Sequence, residues 1–100
     1  MARWVRQRAP TDEWAGAGIA LNTIGPGVVH TAMTAPLLDE PALAGSLLDS
    51  VPMPLQGVLA PEAIEYHLVA ITDPDMNGMT GQTIFVDGGA DCVRRGDDIW

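Results

Sequence analysis

The stretch Gly18-Ile19-Ala20-Leu21-Asn22-Thr23-Ile24-Gly25-Pro26-Gly27-Val28-Val29-His30-Thr31 constrains the fold more than any other part of this chain. Ile19, Leu21 and Ile24 make an apolar run, Gly25-Pro26-Gly27 stops it, and two valines lead on to His30 and Thr31. Apolar residues on both pleat faces suit a parallel strand covered by helices on each side, so residues 19–24 are expected as a buried strand. In sheets of that kind ligands bind just beyond the carboxyl ends of strands, which makes the loop at 25–31 the first place to look for function. Glycines on either side of Pro26 let backbone come close to a ligand, while Pro26 fixes its own φ and lacks an N–H.

The rest of the chain carries three helix signals and one further strand signal. Residues 2–9 read as a helix with Trp4, Val5 and Arg8 on one face, stopped by Pro10. Thr11 or Asp12 would cap a short turn, which Gly16-Ala17-Gly18 breaks. Those glycines precede a strand instead of opening a helix, so their G-x-G spacing is not a phosphate loop. Residues 41–51 form a second helix, with Asp39 or Glu40 as cap, Pro41 in the first turn, and Leu43, Leu47 and Val51 on one stripe. That stripe either lines an apolar pocket or closes the core, the commoner fate. Residues 61–72 give the clearest helix: Pro61 opens it, Glu62 and Glu65 sit near its positive end, and Ile64, Leu68 and Ile71 share a face. Asp73-Pro74 ends it. Residues 82–86 are a short strand, and Asp87-Gly88-Gly89 a turn.

Three of these segments, in this order, resemble one known family. Asn22, Pro26, Gly27 and Thr31 match the Asn-x-x-x-Pro-Gly-x-x-x-Thr pattern that follows the catalytic helix of short-chain dehydrogenases/reductases. Pro61-Glu62-Ala63-Ile64 resembles the Pro-Glu-Glu-Ile start of that family's penultimate helix. Thr80-Gly81-Gln82-Thr83-Ile84-Phe85-Val86-Asp87-Gly88-Gly89 is similar to its last strand and Asp-Gly-Gly ending. The likeness runs from about Arg3 to Asp91, most of this chain but only the C-terminal part of a family member. It implies one partial α/β domain over residues 1–100, the C-terminal portion of a Rossmann-like doubly wound sheet with two parallel strands, and a parent chemistry of hydride transfer between alcohol and ketone with NAD or NADP. It also implies cofactor-binding roles for Pro26, Gly27, Val29 and Thr31. Backbone around Val29 would face the carboxamide, and the Thr31 hydroxyl would bond that amide or a phosphate. The alternative at Thr31 is a cap for the segment that follows.

The Arg3-Trp4-Val5 start, the run from Trp14 to Ile19 and the Val86-Asp87-Gly88-Gly89-x-Asp91 ending look most like the hydroxysteroid dehydrogenase and carbonyl reductase branch, which implies an apolar ketone substrate. Leu55-Gln56-Gly57-Val58 departs from the Gly-Arg pair of many members. The resemblance also implies that the tail, ending on Ile99-Trp100, packs across a subunit interface or near a neighbour's pocket with Trp100 as anchor, the alternative being a disordered terminus.

The family's Gly-rich pyrophosphate loop has no counterpart here, nor has its Tyr-x-x-x-Lys pair, because the chain contains no lysine. Its one tyrosine, Tyr66, has Ala70 four residues on. No catalytic residue is therefore assigned, and turnover by this chain alone is not expected. Met1 falls just after the family's catalytic segment, so a truncated gene product, an internal start or a fragment is expected. The alternative is an interaction module that docks on a full-length relative.

Composition sets the remaining bounds. A net charge of −8 argues against a nucleic-acid binder, since phosphate contacts need a positive field. The single Cys92 fits a reducing compartment, and His30 and His67 lack metal-ligand spacing. Neither a membrane-length apolar run nor a secretory h-region is present, and the cytoplasm is the expected location. At 47% hydrophobic, two strands shaped for a larger sheet would leave edges open, so self-association or docking on a related subunit is expected.

Overall fold

The structure, a computed structural model, describes residues 1–98; the expectation for Trp100 lies outside the described residues. The elements are α1 (Ala2–Arg8), β1 (Thr23–Pro26), α2 (Ala35–Leu38), α3 (Pro41–Ser50), α4 (Pro61–Thr72), β2 (Thr83–Val86) and α5 (Ala90–Arg95), with a 3-10 turn at Ala15–Ala17. The architecture is α/β, as the resemblance implies. The backbone of Thr23 donates to Gln82 at 2.9 Å and that of Gly27 to Val86 at 3.1 Å. Both partners advance by four residues together, which makes β1 and β2 parallel.

The chain divides into two units, Met1–Gly25 with Leu68–Ile84, and Pro26–His67 with Phe85 onward. In the first, α1 buries Val5 to 2% exposure and Ala9 to 1%. Trp4 meets Trp14 edge to face with ring centroids 6.4 Å apart, and the Arg8 guanidinium lies 5.7 Å over the Trp4 ring. Thr11 donates its hydroxyl to the Arg8 carbonyl at 2.7 Å, closing α1 instead of capping the next turn.

β1 starts at residue 23, later than the expected 19, because the backbone ahead of it is used elsewhere, and it runs on through Gly25 and Pro26, past the expected end at 24, because the ladder to β2 continues to the Gly27 N–H. The Ile19 N–H donates to Trp14 at 2.8 Å, and the Leu21 N–H to the Thr80 hydroxyl at 3.0 Å. The Asn22 side chain then takes the place of a ladder. Its Nδ2 donates to the Met79 carbonyl at 3.0 Å, and its Oδ1 accepts from the Gln82 N–H at 3.0 Å. The expected burial of this strand also needs correction, since Thr23 and Ile24 are half-buried and Ile19 is exposed. Among the described residues β1 has one strand neighbour, too little cover for burial on both faces.

In the second unit the core is Val28, Met53, Leu59 and Ala90, with Leu38, Leu47, Val51, Ile64 and Val86 packed against it. Leu47 and Val51 thus take the core role, while Leu43 on the same stripe is exposed. Helix α3 opens on Pro41 with Glu40 at its cap position, but no side-chain bond caps it. Two short helices, α2 and α5, lie outside the expected elements, since segments this short carry little periodicity.

Candidate functional site

The loop after β1 lies in the second unit and carries all four candidate cofactor residues. Pro26 ends β1 and is exposed; Gly27 and Val29 are half-buried; Thr31 is exposed. A parallel bridge fixes the middle of the loop. The Leu59 N–H donates to the Val28 carbonyl at 2.9 Å, and the His30 N–H donates to the Leu59 carbonyl at 2.8 Å. The Val28 N–H points at the Met53 sulfur, 3.2 Å away.

Thr34 closes the loop on itself. Its hydroxyl donates to the Val29 carbonyl at 2.6 Å and accepts from the Thr31 N–H at 2.8 Å. In return the Thr31 hydroxyl lies 3.3 Å from the Thr34 N–H, and the Thr31 carbonyl accepts from Ala35 at 2.8 Å. Thr31 therefore engages the entrance to α2 while its side chain stays open to solvent. The role of Thr34 is not among the sequence expectations, although two threonines three apart are a turn signal. The closeness that Gly27 permits is to protein. A β-carbon there would lie 2.8 Å from the Met53 Cε and 2.9 Å from the Asp87 Cα.

Asp87 follows β2 at 8% exposure. Its Oδ1 accepts from the Gly89 N–H at 3.0 Å and its Oδ2 from the Asp91 N–H at 2.8 Å, so one carboxylate ties down the start of α5. Gly89 precedes that helix with φ 98°, where other residues would be strained. The Gly88 carbonyl accepts from Leu55 at 3.0 Å. A cleft of about 280 Å³ opens here, lined by Leu55, Leu59, His67, Phe85 and Gly88 among others. The His67 Nδ1 sits 2.6 Å from the Ala63 carbonyl of its own helix. Arg95 lies 5.2 Å over the Phe85 ring, and its Nη2 donates to Asp91 at 2.9 Å. That hydrogen bond is the main cause that holds the guanidinium above its ordinary pKa; desolvation opposes it, and the charge of the carboxylate adds a lesser push in the same direction as the bond.

Tyr66, Cys92 and His30 all face solvent. Tyr66 is 77% exposed on α4 and Cys92 is exposed on α5. His30 faces solvent with its Nε2 3.5 Å from Asp39. Among the described residues no group of three or more His, Cys, Asp or Glu side chains would hold a metal ion.

The chain is similar to several known proteins. The family model described as enoyl-(acyl carrier protein) reductase matches residues 4–91. Galactitol 2-dehydrogenase (L-tagatose-forming) of Cereibacter sphaeroides is 37% identical over 82 residues, 82% of this chain and 32% of that protein. 3-alpha-hydroxysteroid dehydrogenase/carbonyl reductase of Comamonas testosteroni is 33% identical over 91 residues, 91% of this chain and 34% of that one. The crystal structure of the 3-alpha-hydroxysteroid dehydrogenase from Pseudomonas sp. B-0831, complexed with NADH, superposes with a TM-score of 0.77 at 27% identity, covering 96% of this chain and 37% of that one. The Rossmann-like class follows from that superposition. The chain spans about one third of the length of the curated relatives it matches.

Proposed function

Because the chain belongs to the short-chain dehydrogenase/reductase family, we propose that residues 26–34 form one wall of the nicotinamide and substrate pocket of an NAD(P)-dependent oxidoreductase acting on alcohols and ketones. The observation that carries this reading is the bond from the Thr34 hydroxyl to the Val29 carbonyl, 2.6 Å long, which holds the loop beyond β1 in one shape. The residues present fit the nicotinamide end of a dinucleotide. Val29 is half-buried, and among the described residues its N–H has no partner, leaving a donor for the carboxamide oxygen. The exposed Thr31 hydroxyl offers both a donor and an acceptor within the same loop. Pro26 and Gly27 bring the backbone from β1 to this point. When bound, the dinucleotide supplies the hydride or takes it up.

Proton transfer is not assigned to this chain. It has no lysine, and its one tyrosine stands on the outside of α4. Loss of general acid–base assistance alone lowers a rate by about 10²–10⁴-fold, so the chain by itself is expected to be inactive. For the substrate we favour an apolar ketone of the hydroxysteroid type, supported by the relatives of that name, over a polyol. A reducing cytoplasmic setting suits the single exposed thiol of Cys92.

Reconstitution tests the reading. The purified chain is mixed with a separately produced N-terminal part of a related hydroxysteroid dehydrogenase, and NAD(P)H consumption is followed with steroid and sugar ketones. Activity is expected only in the mixture, with the KM for cofactor raised by Thr31→Ala. Turnover by the purified chain alone would overturn the assignment. A second reading, an interaction module, is favoured by large apolar side chains left in solvent, such as Leu55 at 77% exposure and Val69 at 69%. Co-purification of inactive chain with an intact relative would support it.

A further inference from the structure

Asn77 and Gly78 sit in the turn between α4 and β2, and both are exposed. The Asn77 N–H donates to the Asp75 carbonyl at 3.1 Å. Among the described residues neither the Asn77 carboxamide nor the Gly78 N–H has a partner. Gly78 adopts φ 86°, and nothing beyond its chain neighbours lies within 4 Å of where a β-carbon would stand, so no other segment crowds this side of the glycine. Asn-Gly is a turn dipeptide in which the following residue offers no side chain to shield its amide nitrogen.

Asn22, the other asparagine of the chain, is held in the opposite way. It is half-buried, both ends of its carboxamide are bonded, and the next N–H, that of Thr23, donates to Gln82 at 2.9 Å. The reaction open to Asn77 is therefore closed to Asn22.

We infer that Asn77-Gly78 is a site of spontaneous covalent modification, in which the Gly78 nitrogen attacks the Asn77 side chain. The Gly78 amide gives its proton to hydroxide and its nitrogen bonds to the Asn77 Cγ. The Cγ–Nδ2 bond breaks, Nδ2 leaves as ammonia with a proton from water, and a five-membered succinimide remains. Water then opens the ring. Cleavage of the new Cγ–N bond gives aspartate, and cleavage of the original peptide C–N bond gives an isoaspartyl linkage that runs through Cγ. No electrons are exchanged with any other group.

The consequence reaches β1. Met79 and Thr80, just after this dipeptide, accept from Asn22 and Leu21. An isoaspartyl linkage adds a methylene to the main chain ahead of those acceptors and shifts them. Either product also adds a carboxylate beside Asp73 and Asp75, where negative charge is already concentrated.

The test incubates the purified chain at neutral and mildly alkaline pH beside a free peptide of residues 75–80, followed by peptide mapping and by methylation with an isoaspartyl methyltransferase. Residue 77 is expected to gain acid and isoaspartyl forms along with the peptide, faster at the higher pH, while residue 22 stays unchanged. Asn77→Gln should remove the isoaspartyl signal, and the modified fraction should unfold at lower urea than the fresh protein. An Asn77 that stays intact while the peptide converts would overturn the site. A modified fraction with unchanged urea midpoint would overturn the link to β1.

Discussion

A β-carbon placed on Gly27 would stand 2.9 Å from the Cα of Asp87, so the chain leaving β1 passes the chain leaving β2 with no room for a side chain. The neighbour is backbone, which cannot rotate away. Gly27→Ala is therefore expected to destabilise by about 1–3 kcal/mol, the usual range for overpacking. Urea denaturation checks it. The double variant with Met53→Ala should recover little, since the clash with Asp87 remains.

Asp87 holds the N–H groups of Gly89 and Asp91 with separate oxygens. Asp87→Ala should lower stability by about 1–2 kcal/mol, as for loss of a strong helix cap. Asp87→Asn keeps one acceptor oxygen and should fall between the two. Urea midpoints for the three proteins give the order directly.

Asn22 bridges residues 57 and 60 positions away through its two carboxamide ends. Asn22→Ala leaves the Met79 carbonyl and the Gln82 N–H without those partners and should destabilise by about 1–3 kcal/mol. Hydrogen exchange at Gln82 provides a local readout, with faster exchange expected in the variant.

Thr34→Val keeps the shape of the side chain and removes the hydroxyl that joins Val29 to Thr31. The loss should be about 1 kcal/mol, with faster amide exchange at Thr31. In the reconstituted mixture the same variant should raise the KM for NAD(P)H more than it lowers kcat. A change confined to kcat would separate Thr34 from the cofactor.

Much of this was legible in the sequence because the signals were local. Pro61 and the Asp73-Pro74 stop bound α4 to within a residue, and Pro41 did the same for the start of α3. The spacing of Asn22, Pro26, Gly27 and Thr31 pointed to the loop now seen beyond β1. Long-range partners were not legible. Nothing near Gly27 in the chain announces Met53 or Asp87, and nothing near Leu21 announces the Thr80 hydroxyl that draws its N–H out of a ladder. Strand burial was overread for the same reason: apolar character at Ile19 and Ile24 states what a residue tolerates, while cover depends on neighbours.

The perpendicular indoles of Trp4 and Trp14 have an optical consequence. Two such chromophores 6.4 Å apart couple their excited states, so circular dichroism should carry a paired positive and negative band that a solitary indole does not produce. Trp14→Phe would erase the couplet, and its fading on a urea ramp would report when residues 4 and 14 part company, without any added label.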